Sequence, residues 1–303
     1  MPQNPTARPY RRDRTATNPA FGPRKLKLGT FQTNLDSGCV MSDLDGRLDI
    51  TWPNTVALAQ LGDEMDFEAL VPVARWRGFG GATDPQGPGF ETYTWAAGIA
   101  GATRHSGVVS TSHVALNHPI IAAKQSTVID HISNGRYTLN IVNGWNFPEM
   151  EMFGVSLLEH EDRYACAEEW LGIVKRLWTQ DEPFDHDGKF YRIKGGYLQP
   201  KPIQQPYPAI MNAGSSEPVL VGMLTMIVVG AVIVMADDTT PVSDDALNPS
   251  VRSPLVPVID RSVKVATPLE LVVTDLVPPS VPPPLAIAAE TTTPDWLTAL
   301  PDP

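Results

Sequence analysis

The residues best placed for chemistry lie in Tyr137–Glu149, Tyr-Thr-Leu-Asn-Ile-Val-Asn-Gly-Trp-Asn-Phe-Pro-Glu. The stretch opens as a β-rich apolar run, stops at Asn143-Gly144, and then presents Trp145, Asn146 and Glu149 on a loop. In an α/β protein, a strand ending in a polar, glycine-containing loop marks the side where ligands bind. Each residue also has a plainer reading: Glu149 as a surface charge of the loop, Trp145 as core packing. His113 and His118 could serve as bases. His118 precedes Pro119 and also reads as a helix cap, while His113 reads as core or as site. The sequence holds no Ser-His-Asp set, no His-Glu-x-x-His and no cysteine cluster at ligand spacing.

Such loops need a scaffold that gathers strand ends. Lys25–Phe31 alternates with period two and predicts a first strand. Pro53 suits the first turn of a helix, where a missing N–H costs nothing, and Leu58, Leu61 and Met65 recur at helical spacing after it. Ala69–Ala74 predicts a second strand that runs into the three-glycine loop Arg75–Gly81. Glu91–Thr103 predicts a helix and Ser106–His113 a third strand. The helix starting at Asn117-His118-Pro119 carries Ile121, Gln125, Val128 and Ile132 on one face, and Asn134-Gly135 gives it a left-handed stop. A fourth strand then starts at Tyr137.

Glu161–Trp178 is the clearest helix. Tyr164, Ala167, Trp170, Leu171, Val174, Leu177 and Trp178 share one stripe, with acidic residues at its start and basic residues near its end. A hairpin-like stretch, Gly188–Leu198, and a proline-punctuated connection lead to a fifth strand, Ala209–Gly214. Regular strand–helix alternation implies parallel strands with right-handed crossovers. No Gly-x-Gly-x-x-Gly links a strand to a helix, and long loops follow the first, second and fourth strands. An α/β chain of (β/α)8 TIM-barrel type is therefore favoured over an open doubly wound sheet.

Composition sets further bounds. A net charge of −11 argues against a nucleic-acid partner. Cys39 and Cys166 stand far apart, as expected of two buried thiols in a reducing compartment. The arm 1–24 is basic, has no apolar core of a secretory signal, and is expected to be disordered. Of thirty prolines, fourteen fall between Pro218 and Pro303, which places a compositional break near Glu217. The expected organisation is an arm over 1–24, a barrel domain over 25–217, and a Val/Pro-rich acidic tail over 218–303 that is largely disordered. The run Val219–Ala236 is free of charge and admits three readings: an unrelated tail after a frameshift or junction, a membrane-spanning fusion, or strands of an unusual but intact barrel.

Several ordered motifs carry a resemblance. Arg77-Gly78-Phe79-Gly80-Gly81, the run Ser126–Asp130 followed by Gly135-Arg136, and Asn140–Trp145 resemble the luciferase-like FMN-dependent monooxygenases. Within that family they are similar to the branch of pyrimidine, dimethylsulfone and alkanesulfonate monooxygenases. Leu158–Tyr164, Trp178–Asp181, Lys189–Arg192, Pro200–Pro206 and Asn212–Ser216 extend the likeness, which covers about 25–217. It implies a (β/α)8 barrel, incomplete here at about five strand–helix units. It also implies reduced FMN as cofactor, O2 and a small organic molecule as substrates, and a flavin reductase as partner. A homo-oligomer, if the barrel is intact, follows from the same likeness, and a cytoplasmic location is expected from the two free thiols and the lack of a secretory signal.

Carried over position by position, the resemblance puts FMN contacts at Ala74, Arg75, Asn140, Glu149, Arg163, Tyr164 and Ser216. The family usually has a bulkier apolar residue and a Lys where Ala74-Arg75 stands. The chemistry of these types agrees. Asn140 can offer a donor and an acceptor to the edge of a flavin ring, and Arg163, Tyr164, Gly214, Ser215 and Ser216 suit a phosphate. Asn140 could also be a satisfied core amide, and Arg163 a solvated helix residue. The expected activity is oxygenation of a sulfone, sulfonate or pyrimidine. The alternatives are a truncated, non-catalytic remnant that binds flavin weakly or not at all, and a membrane-tethered binding protein.

Overall fold

A computed structural model describes residues 10–40, 46–144, 146–156, 158–212, 224–229, 232–237, 273–275 and 290–292. In chain order the elements are β1 (Arg12–Asp13), α1 (Arg14–Thr17), β2 (Lys27–Phe31), α2 (Trp52–Glu64), β3 (Ala69–Val71), α3 (Thr92–Ala102), β4 (Gly107–His113), α4 (Pro119–Ile132), β5 (Tyr137–Val142), α5 (Phe147–Met152) and α6 (His160–Thr179). There follow β6 (Phe184–Asp187), β7 (Arg192–Gly196), β8 (Gln204–Gln205), β9 (Ala209–Asn212), β10 (Leu224–Val229), β11 (Val232–Asp237), β12 (Val273–Asp275) and β13 (Glu290–Thr292).

Five strands, β2, β3, β4, β5 and β9, run parallel in that order, as strand–helix alternation requires. Beyond these five the strand–helix alternation stops among the described residues, as expected of an incomplete barrel, and of the three readings of the apolar run the one met is that it forms strands. The apolar run supplies the antiparallel hairpin β10–β11; β10 lies parallel to β9, β11 lies antiparallel to β2, and the ring closes. Residues free of charge and rich in Val and Ile suit strands paired on both edges. Among the described residues no helix is long and apolar enough to cross a membrane, so the spanning reading of Val219–Ala236 is not met there. The hairpin lies within the compact unit Met1–Thr239, beyond the compositional break at Glu217. In the second unit, Thr240–Pro303, β12 and β13 pair antiparallel; the expectation of disorder for the rest of the tail lies outside the described residues.

Strand alternation sorts side chains into two layers. Leu70, Val108, Tyr137, Leu139, Ile141 and Ile210 point outward into a core shared with α3, α4 and α6. Ala69, Val71, Val109, Ala209 and Met211 form a second cluster, which fills the barrel interior. Ala20 and Phe21 join that interior cluster, so the segment after α1 plugs the barrel floor. Asn18 is buried there and donates from Nδ2 to the Tyr137 carbonyl at 2.9 Å and to Thr138 Oγ1 at 3.0 Å. Residues 10–24 are thus bound to the barrel rather than loose. Their polar side chains replace water at strand ends that would otherwise be open.

Helix boundaries follow local chemistry. Glu91 caps α3 by accepting from the Tyr93 and Thr94 N–H groups. His118 caps α4, its Nδ1 accepting from Ile120 N at 3.3 Å, and Pro119 takes the first helical position. Asn134 and Gly135, at φ of 57° and 88°, turn the chain into β5. The faces of α2 and α4 differ from expectation. Leu61, Met65, Ile121, Val128 and Ile132 are exposed, whereas Thr55, Ala59, Gly62, Ala122, Ala123 and Ser126 face inward. On α4 small residues are needed because Trp170 and Trp178 of α6 occupy the space, bonding from Nε1 to the carbonyls of Asn117 and Ala123, while on α2 Thr55 accepts from Trp95 Nε1 of α3 at 2.9 Å.

Candidate functional site

The site lies where the parallel strands end. By the same alternation, Val109, Thr111 and His113 of β4 face the interior, as do Thr138, Asn140 and Val142 of β5. Thr111 is paired in register with Asn140. Asn140 donates from Nδ2 to Thr111 Oγ1 at 3.0 Å, and Thr111 Oγ1 donates in turn to the Pro72 carbonyl at 2.6 Å. The amide is buried at 2% exposure, yet Asn140 Oδ1 has no partner. A buried acceptor without a donor is costly, so a satisfied core amide is a poor account of Asn140.

Glu149 belongs to the first turn of α5, a helix the sequence read as loop. It is not a surface charge. It is completely buried, and its Oε1 accepts from Trp76 N at 2.7 Å, Arg77 N at 3.2 Å and Arg75 Nη1 at 3.4 Å. Its Oε2 has no partner. The carboxylate therefore ties the loop after β3 to the loop after β5. Arg75 also donates from Nε to Gln86 Oε1 at 3.0 Å, and its guanidinium lies 4.8 Å from the centre of the Phe79 ring. A planar fork can serve Gln86 and Glu149 together where a lysine would offer a single point. Gln86 continues to Gln32 Oε1 at 2.9 Å. Gln32 and Gln86 were not legible as site residues, since their contact joins positions far apart in sequence.

Arg163 sits in the first turns of α6 and donates from Nη1 to the Gly144 carbonyl at 3.2 Å, while its Nε is buried without a partner. Tyr164 is half-buried beside it. Gly144 has φ of 75°, and a Cβ there would lie 2.7 Å from Met150 Cε, so this position requires glycine. Ala74 is buried just before Arg75. Trp145 and Ser216, with Gly214 and Ser215, lie outside the described residues. The structure thus brings Arg75, Asn140, Glu149 and Arg163 to one end of the barrel, with His113 among them. Burial pushes the His113 imidazole down to about 4, with Glu149 raising it and Arg75 lowering it further, so the ring is neutral at neutral pH.

Other motif residues prove architectural. Arg136 is buried and donates to the carbonyls of Ser133, Ala100 and Thr103, locking the end of α3 to the start of β5. Asp130 accepts from Gln204 N at 3.0 Å and Gln204 Nε2 at 2.7 Å. Cys166 is buried and Cys39 half-buried, without a disulfide between them. Among the described residues no His, Cys, Asp and Glu group could hold a metal ion.

Five parallel strands closed into a ring by an antiparallel hairpin, with buried, incompletely bonded polar groups at the parallel strands' C-termini, define an α/β-barrel protein with a candidate ligand site there. The chain belongs to the luciferase-like monooxygenase family, whose profile matches residues 32–240. It is similar to the FMNH(2)-dependent dimethylsulfone monooxygenase of Pseudomonas putida, at 32% identity over 191 residues, 63% of this chain and 51% of the relative. It is also similar to the pyrimidine monooxygenase RutA of Serratia proteamaculans, at 28% identity over 181 residues, 58% of this chain and 49% of the relative. Among solved structures, EDTA monooxygenase from Chelativorans sp. BNC1 shares the fold with a TM-score of 0.57 at 22% identity, covering 64% of this chain and 50% of that one. The chain spans about half the length of the curated relatives it matches.

Proposed function

We propose that the chain binds reduced FMN at the barrel mouth and uses it with O2 to oxygenate a small organic substrate. One observation carries this reading: Asn140 Oδ1, Glu149 Oε2, His113 Nδ1 and Arg163 Nε are all buried near the ends of β4 and β5 and lack partners. The donor and acceptor set fits a flavin, which has a polar ring edge, ribityl hydroxyls and a phosphate, and the interior beneath it is apolar. In this proposal Asn140 meets the ring edge, Ala74 and Arg75 flank the ring, and Glu149 accepts from a polar hydrogen of the cofactor. Arg163, Tyr164 and Ser216 hold the phosphate. Arg163 supplies charge beside the positive end of α6, where an anion is favoured.

Reduced FMN, when bound, supplies the electrons with which O2 is activated, so that one oxygen atom enters the substrate and the other leaves as water. The protein's part is to orient the ring, to keep water from it, and to hold neutral the imidazole beside it. The relatives favour a sulfone or a pyrimidine as substrate, and the motif resemblance adds a sulfonate. A separate flavin reductase would deliver the reduced cofactor. A homo-oligomer is also proposed, supported by the exposed Ile121, Val128 and Ile132 on α4. Rapid mixing of the full chain and reduced FMN with O2 and each substrate class tests the activity. Substrate-dependent product formation is expected; flavin binding without product would instead identify a flavin-binding remnant.

A further inference from the structure

The positions carried over from the family do not include His113, a buried polar side chain at the end of β4. Strand alternation points it into the barrel one step above Thr111, in the layer next to Asn140. It is 7% exposed, and its Nδ1 has no hydrogen-bond partner. A histidine kept only for packing would bond that nitrogen to a neighbouring carbonyl or hydroxyl. The local backbone does not use the ring: Leu116 N, Asn117 N and Asn117 Nδ2 all bond to the His113 carbonyl. Gly144 passes close by, its Cβ position 3.9 Å from His113 Cδ2, so the imidazole adjoins the loop whose carbonyl holds Arg163.

We propose that His113 is a cofactor-contacting residue whose Nδ1 hydrogen-bonds the polar edge of the bound flavin ring. The proposal rests on the FMN reading of the same site. A neutral imidazole can donate or accept at Nδ1 according to its tautomer, so it can match either kind of group on the ring edge. The charged groups that act on it are Glu149 and Arg75, which oppose one another and hold each other by their own ion pair. The ring can therefore stay neutral beside a cofactor whose charge changes on reduction.

The test uses the full chain labelled with 15N-histidine, titrated anaerobically with reduced FMN and followed by long-range 1H–15N NMR. His113 is assigned by loss of its signals in H113Q. Saturation is expected to move the His113 ring resonances while those of the remaining five histidines hold still. In parallel, H113F is expected to bind FMN about tenfold more weakly, with H113Q, which keeps a side-chain donor and acceptor, in between. Should H113F fail to fold, the wild-type shifts and the H113Q affinity decide. FMN that saturates the wild-type chain and leaves the His113 resonances unmoved overturns the proposal and makes His113 a packing residue. FMN that does not bind the wild-type chain overturns the flavin reading and this proposal with it.

Discussion

At the scale of single residues, the site is held by groups whose bonding is incomplete in the protein alone. Asn140 has a buried acceptor without a donor, which the fold tolerates at a cost. Asn140→Leu should therefore melt no lower than the wild-type chain while losing flavin affinity, a separation that paired thermal and binding measurements would show. Glu149 behaves differently, because Arg75 and two backbone N–H groups depend on it. Glu149→Ala is expected to cost about 3–5 kcal/mol in denaturant unfolding, as removal of one partner of a buried pair does.

His113 gives a pH dependence. Its folded value near 4 lies below the 6.5 of the unfolded chain, so the unfolded state takes up the proton first as pH falls. Stability due to the neutral ring is complete above pH 6.5 and lost between 6.5 and 4, by about 3 kcal/mol. H113N should flatten that part of the stability–pH curve. An unchanged curve would place the imidazole outside the buried mouth.

At the scale of elements, the sequence was legible where periodicity and caps act locally. The strands from Lys25, Ala69, Ser106, Tyr137 and Ala209, the α6 stripe and the His118 cap all stand within a few residues of expectation. The face of α4 was not legible, because apolar residues and small residues compete for the inward side and the winner depends on α6. Trp170 and Trp178 fill the gap, so Ala122, Ala123 and Ser126 must stay small. Ala123→Leu, placed against Trp178, is expected to destabilise the chain by about 1–3 kcal/mol, with the loss read from a shifted denaturation midpoint. Glu149 was legible as a site residue by resemblance, but its tie to Trp76 and Arg77 was not. That tie depends on α5 forming, and six residues with a proline near the start carry little helical signal.

At the scale of the whole molecule, composition located a change near Glu217 but left the role of the residues beyond it open. A Val-rich run without charge is ambiguous between a span and buried strands. Pairing decides it: β10 and β11 give β9 and β2 the partners they would otherwise lack. A chain ending at Asn212 should therefore expose two strand edges and aggregate, while one ending at Thr240 should unfold cooperatively. Light scattering during thermal melts would distinguish them, and equal behaviour of the two would remove the hairpin from the barrel.

The central claim is that the barrel mouth is a flavin site built on Asn140 and Arg163. Anaerobic titration of reduced FMN into the full chain, followed by quenching of the protein's tryptophan fluorescence, tests it most directly. Saturable quenching at one flavin per chain is expected, weakened about tenfold in Asn140→Ala and again in Arg163→Ala. An absence of saturable quenching, or affinities unchanged in both variants, would contradict it.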